Sequence, residues 1–126
     1  MGLLLKTKNL EVLIIDDEKD ICYLLGSLLW GKKLDTAYVN SIKEAEKVLE
    51  ITHPNVIFLD NYLPDGLGIN FIRKIKQQYP DTKVVMITAH DNPADRAKAI
   101  YEGADYFMSK PFSREAVTKT VEFLLH

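Results

Sequence analysis

The chain has 126 residues, 47% apolar and 27% charged, with a formal net charge of −2. That length supplies one proper hydrophobic core, the slight acidity argues against a general nucleic-acid binder, and a single cysteine, Cys22, excludes an internal disulfide. No apolar run approaches the roughly 20 residues of a bilayer span, Leu3-Leu4-Leu5 is too short for a signal-peptide core, and Lys6 stands where a lipidation signal at Gly2 needs Ser or Thr, so the cytoplasm is the expected compartment.

Short β-branched runs alternate with longer amphipathic ones, which predicts an α/β fold on a parallel sheet. The first strand, about Glu11 to Ile15, runs into Asp16-Asp17. A helix follows from about Lys19 to Trp30, with Ile21, Leu24, Leu25 and Leu28 at helical spacing and Gly31 as its stop. Cys22 falls inside it as a buried thiol. The second strand is about Leu34 to Val39. Ser41-Ile42-Lys43-Glu44 opens the next helix as a capping box, and Pro54 bounds it. Its inward positions are Ile42, Ala45, Val48 and Leu49.

Val56 to Asp60 is apolar up to its last residue, the pattern of a central parallel strand covered on both faces. Asn61 to Gly68 reads as a loop, from Pro64, Asp65, Gly66 and Gly68, and about Ile69 to Tyr79 as a helix. Lys83 to Thr88 is the fourth strand. Asn92-Pro93 supplies an N-cap and a first-turn proline for a helix to about Glu102, which Gly103 stops. The fifth strand is about Asp105 to Ser109. Ser113 caps a last helix to about Leu124, with Ala116, Val117, Thr120, Val121, Leu124 and Leu125 facing in.

Five such β/α units, joined by right-handed crossovers, put helices on both faces of the sheet. Ligands then bind outside the carboxyl ends of the strands. Four strands end there in polar groups: Asp16-Asp17, Asp60, Thr88-Ala89 and Lys110-Pro111. Taken singly, each is an ordinary cap or turn residue. Together, three carboxylates, a hydroxyl and an ammonium suit a divalent cation and a phosphoryl group.

From about Val12 to Leu124 the chain resembles a response-regulator receiver domain. The resemblance rests on Asp16-Asp17, Asp60, Pro64-Asp65-Gly66, Thr88-Ala89, Gly103-Ala104-Asp105 and Lys110-Pro111-Phe112, in order and at the correct places in a βα repeat. Length and wording are similar to the single-domain receivers of chemotaxis and phosphorelays. The resemblance implies one domain over residues 1–126, with its core about 11–125. It also implies a flavodoxin-like, doubly wound (βα)5 fold, with a five-stranded parallel sheet flanked by five helices.

For function, the resemblance implies phosphoryl acceptance on Asp60 from a sensor histidine kinase or a histidine phosphotransfer protein. Mg²⁺ (or Mn²⁺) would be held by Asp17 and Asp60 directly, by Asp16 through water, and by the Tyr62 backbone carbonyl. Lys110, the Thr88 hydroxyl and the Ala89 backbone N–H would stabilise the phosphoryl group, with Lys110-Pro111 as a cis peptide. Thr88 and Phe107 would form the switch, the hydroxyl moving and the ring turning inward, while Tyr106 points to the other face. Output would pass through about Pro93 to Leu125, to a partner or a phosphorylation-linked dimer. The run from Arg114 to Lys119 does not clearly match the charge pattern of transcription-factor dimers. Tyr62 and His90 are expected to overhang the phosphoryl group and slow its hydrolysis. Direct nucleic-acid contact, membrane insertion and enzymatic turnover beyond self-phosphorylation and slow dephosphorylation are not expected.

Rival readings meet specific obstacles. An aspartyl phosphohydrolase or phosphotransferase would place a second aspartate about where Tyr62 stands, and would need length for a cap. No G-x-G-x-x-G or Walker lysine loop supports nucleotide binding. A degenerate receiver lacks an acid or the lysine, and this chain lacks neither. His53 reads as a loop residue and His126 as terminal, neither in the helical setting of a phosphotransfer histidine.

Overall fold

The computed structural model describes residues 9–125. The readings of Gly2, Leu3-Leu4-Leu5, Lys6 and His126 lie outside the described residues.

The alternation of short and long runs becomes β1 (Leu10–Ile15), α1 (Lys19–Leu29), β2 (Leu34–Val39), α2 (Ile42–Leu49), β3 (Val56–Asp60), α3 (Ile72–Gln78), β4 (Lys83–Thr88), α4 (Pro93–Glu102), β5 (Tyr106–Ser109) and α5 (Arg114–Leu125). The five strands form one sheet in the order β2-β1-β3-β4-β5, every pair parallel. This is the expected doubly wound α/β fold. Its strand order reverses between β1 and β3, the place where such sheets open a crevice for ligands.

Alternation along each strand divides the core in two. Leu13, Ile15, Ile57, Leu59, Val84, Met86 and Phe107 face α2, α3 and α4, through Ala45, Leu49, Ile72, Ile75 and Ala99. Val12, Ile14, Val56, Phe58, Val85, Ile87 and Met108 face α1 and α5, through Cys22, Leu25, Leu28, Leu29, Val117 and Val121. β3 is buried throughout, as a strand with both faces covered must be. The register sets Asp60 beside Ile87 and Thr88 beside Ser109. The strand-end groups therefore arrive level at one edge.

The helix ends follow the caps read from the sequence. Ser41 Oγ accepts from the Glu44 amide at 3.1 Å, and Glu44 Oε1 accepts from the Asn40 amide at 3.0 Å. Asn92 Oδ1 accepts from the Asp95 amide at 2.8 Å, and Ser113 Oγ from the Ala116 amide at 3.1 Å. Gly103 closes α4 at φ +114°, where a side chain would be strained.

Two expectations need correction. Residues 61–71 are not a plain loop running into a helix at Ile69. Tyr62–Leu63 and Gly66–Leu67 pair as an antiparallel hairpin, a 3₁₀ turn covers Gly68–Asn70, and α3 spans only Ile72–Gln78. Asn61 explains the delay: its backbone carbonyl takes the Gly68 amide at 2.7 Å and its side-chain oxygen the Ile69 amide at 3.0 Å. Those bonds close the loop on itself and compete with helix initiation. In α1, Leu24 is 41% exposed, and the buried stripe is Cys22, Leu25, Leu28 and Leu29. Cys22 is buried, its thiol donating to the Asp16 carbonyl at 3.4 Å. Burial, then the Asp16 charge, push its pKa up to about 11, which leaves it a weak nucleophile.

Candidate functional site

β1 and β3 lie side by side, so the acids that follow them meet. One carboxylate oxygen from each of Asp16, Asp17, Glu18 and Asp60 lies within 4.8 Å of the others. Asp16 and Asp60 are buried, while Asp17 and Glu18 form an exposed mouth. Asp16 is fixed from several sides: its Oδ1 accepts from the Glu18 amide at 2.8 Å, its carbonyl from Asn40 Nδ2 at 2.9 Å, and its amide donates to the Val39 carbonyl at 3.1 Å.

Lys110, delivered by the chain leaving β5, has a side chain only 7% exposed and reaches all of the inner acids. Its Nζ is 2.8 Å from Asp16 Oδ2, 3.0 Å from Glu18 Oε1 and 3.6 Å from Asp60 Oδ1. Asp16 and Glu18 hold the lysine more closely than Asp60 does. The Lys110 ammonium is the partner of the buried Asp16 Oδ2. Burial alone would drive the Lys110 pKa down, but the Asp16 and Glu18 carboxylates outweigh it and raise it above the usual lysine value.

Asp60 shows the opposite balance. Burial, then the Asp16 charge, push its carboxyl from 3.8 up to about 7, against the pull of Lys110 and the Tyr62 amide. The site thus carries more negative charge than one lysine neutralises. Four clustered carboxylates with hard oxygen donors and a single ammonium among them are a donor set that fits a small divalent cation.

Glu18 was missed by the sequence reading. Its signal was the unbroken acidic run Asp16-Asp17-Glu18, hidden because a residue just before a helix reads as a cap. Glu18 is indeed the residue before α1, but its side chain makes no cap bond and turns to Lys110 instead.

The other predicted groups lie at or just past the ends of the same parallel strands. Thr88 is buried, and its Oγ1 accepts from the His90 amide at 3.1 Å. Ala89, next in the chain, is exposed. The Lys110 amide donates to the Thr88 carbonyl at 2.8 Å, tying the ends of β4 and β5 together. The Lys110-Pro111 bond is cis. Tyr62 and His90 meet edge to face, ring centroids 5.0 Å apart at 74°. His53 packs instead against Tyr79, at the end of α3.

Phe107 departs from the expected resting position. Its ring is already inward, only 7% exposed, and the Arg96 guanidinium lies 4.9 Å above it. Arg96 is paired with Asp91 at 2.7 Å, and Asp91 also accepts from Ser109 Oγ at 2.5 Å. Phe107 lies beside Met86 in the sheet register and belongs to the same buried cluster as Ala99. Tyr106 is 41% exposed and lies outside both core clusters.

A family model for the response regulator receiver domain matches residues 12–122. Among curated proteins, response regulator protein PilR of Pseudomonas aeruginosa is 39% identical over 101 residues, 80% of this chain and 23% of PilR. Protein PilG of the same organism is 31% identical over 121 residues, 93% of this chain and 88% of PilG. Among solved structures, the beryllofluoride-activated NtrC4 receiver domain dimer matches with a TM-score of 0.86 at 38% identity, covering 90% of this chain and 94% of that one. The chain therefore belongs to the response regulator receiver domain family, the signalling domains of two-component systems. It spans about half or less of most of the curated relatives it matches. No helix among the described residues is long and apolar enough to cross a membrane.

Proposed function

We propose that this chain is a single receiver domain that accepts a phosphoryl group on Asp60 and reports it through the surface from Pro93 to Leu125. One observation supports this above the others: Asp60, buried with Asp16 at the strand ends, lies within ion-pair distance of a buried lysine and clusters with two further, exposed acids.

Asp60 Oδ attacks the donor phosphorus, and the bond to the leaving group breaks as the new P–O bond forms. The donor is a phosphohistidine of a sensor histidine kinase or phosphotransfer protein. Asp17 and Asp60, with the Tyr62 carbonyl, would hold Mg²⁺ (or Mn²⁺), with Asp16 acting through water. The bound cation offsets the charge of the acids and of the phosphoryl oxygens. Lys110 leaves Asp16 and Glu18 to pair with a phosphoryl oxygen, and the Thr88 hydroxyl and Ala89 N–H donate to others.

Thr88 Oγ1 holds the His90 amide, so a shift of the hydroxyl toward the phosphoryl group pulls on the β4–α4 loop. That loop carries Asp91, and Asp91 holds the Arg96 cap over Phe107. The change is a bias between two states of one fold. The output surface exposes Ile100 at 50%, Tyr101 at 78%, Tyr106 at 41% and Phe123 at 74%. Exposed apolar side chains of this kind suit a protein partner or a second copy in the cytoplasm.

Incubation with acetyl phosphate and Mg²⁺, read by intact mass, tests the reading. One phosphoryl addition in the wild type and none in Asp60→Ala is the expected result. Donor turnover far beyond one equivalent would instead establish an enzyme, and no addition at all would establish an inert receiver.

We expect the Tyr62–His90 ring pair to form a roof over the phosphoryl group and slow attack by water. Tyr62→Ala and His90→Ala are each expected to shorten the acyl-phosphate half-life severalfold. Because the rings support each other, the double variant should decay little faster than either single one. Unchanged half-lives would remove the roof from the account.

A further inference from the structure

The amino end of α2 touches both acidic loops. On one side, Asn40 Nδ2 donates to the Asp16 carbonyl at 2.9 Å. On the other, the Asp65 carboxylate, more than twenty residues away in sequence, accepts from the Ile42 and Lys43 amides, both at 2.9 Å. These two bonds hold the Asp65 pKa below the usual carboxylate range. Beside it, Gly66 packs so closely that a Cβ there would come within 3.2 Å of Ile42 Cδ1.

Asp65 does more than cap α2, although it takes the first two amides that Ser41 leaves open. Ser41 already caps α2 through the Glu44 amide. What Asp65 adds is a link between elements. It sits in the turn of the Tyr62–Leu63/Gly66–Leu67 hairpin, where Tyr62 pairs with Leu67. Tyr62 is two residues from Asp60 and carries the carbonyl assigned above to the cation. A hairpin of two-residue strands has little stability of its own, so its aim depends on what it is tied to.

We propose that Asp65 is a positioning residue: by clamping the hairpin to the amino end of α2, it sets the distance between the Tyr62 carbonyl and the Asp16–Asp17 loop, and so tunes divalent-cation affinity. The proposal rests on the phosphoacceptor reading given above. Outer groups of this kind typically change metal affinity by about 10- to 100-fold.

The test compares Asp65→Ala, Asp65→Asn and Ser41→Ala in the full chain. Mg²⁺ affinity is measured by titration calorimetry, and phosphorylation by acetyl phosphate as a function of Mg²⁺. Thermal midpoints report folding. Asp65→Ala is expected to weaken Mg²⁺ binding about tenfold, with the phosphorylation rate recovered at saturating Mg²⁺. Asp65→Asn, which keeps one acceptor, should fall between it and the wild type, and it carries the test if the alanine variant fails to fold. Ser41→Ala should lower the thermal midpoint while leaving Mg²⁺ affinity within about twofold, since it removes a cap and not the link.

Wild-type affinity in both folded Asp65 variants would overturn the proposal. An equal loss in Ser41→Ala would do so too, by showing that α2 stability alone matters. A wild-type chain that binds no Mg²⁺ and takes no phosphoryl group would instead bring down the phosphoacceptor reading.

Discussion

Gly68→Ala is expected to cost about 3 kcal/mol or more and to spoil the site at the same time. A Cβ on Gly68 would lie 2.1 Å from the Asp60 backbone carbonyl oxygen, with the Asp60 carbonyl carbon and Leu59 Cγ each at 3.1 Å. The obstructing atoms are mostly backbone of β3, a strand buried on both faces and bonded on both sides. They cannot swing away as a side-chain tip would. Either the 3₁₀ turn lifts off, losing the Gly68 amide bond to Asn61, or Asp60 shifts. Gly26→Ala is the control: its Cβ would meet only Thr36 Oγ1, at 3.7 Å. Inside α1 that change should stabilise by about 0.5–1 kcal/mol. Urea midpoints measure both. A Gly68→Ala protein with wild-type stability and full phosphorylation would contradict the close approach.

Asp60→Asn is expected to stabilise the metal-free protein at neutral and higher pH. The Asp60 carboxyl is raised from 3.8 to about 7, chiefly by burial and next by the Asp16 charge. A raised folded-state pKa means that the folded chain binds the proton more tightly than the unfolded chain. Stability from this group is therefore fully present below about pH 4 and drains away as pH rises toward 7. At 1.36 kcal/mol per pH unit the loss has a ceiling of about 4 kcal/mol. Solvent at the exposed Asp17 and Glu18 mouth reduces that to roughly 2 kcal/mol. The gap between Asp60→Asn and wild type should open between pH 4 and 7 and stay constant above. Saturating Mg²⁺ should narrow or reverse it, because binding at 100 times Kd adds about 2.7 kcal/mol to the wild type. Thermal melts across pH in chelator and in Mg²⁺ give both curves. A gap that does not change with pH would show that Asp60 is not strained by its surroundings.

Both expectations concern the same feature: an acid placed where its own fold does not favour it. Asn40, Asn61 and Asp65 hold the surrounding loops through backbone amides and carbonyls. The cost of burying Asp60 is carried by those bonds and by the two apolar clusters. That is the usual relation between a functional site and its scaffold.

Much of the chain was legible from local chemistry. Strand and helix order follows from hydrophobic period, and the ends of α2, α4 and α5 from Ser41, Asn92, Ser113 and Gly103, because caps and periodicity act over a few residues. The meeting of Asp16, Asp60 and Lys110 was also legible, since parallel strands must deliver their carboxyl ends to one edge. Partners distant in sequence were not legible. The sequence could not show that Lys110 rests on Asp16 and Glu18, that Asp65 reaches the α2 amides, that Phe107 is already inward beneath Arg96, or that Asn61 turns the expected helix start into a hairpin and a 3₁₀ turn. Each of those depends on which side chains register and packing bring within about 3 to 5 Å, and hydrogen bonds and ion pairs are decided at that range, after the chain has closed on itself.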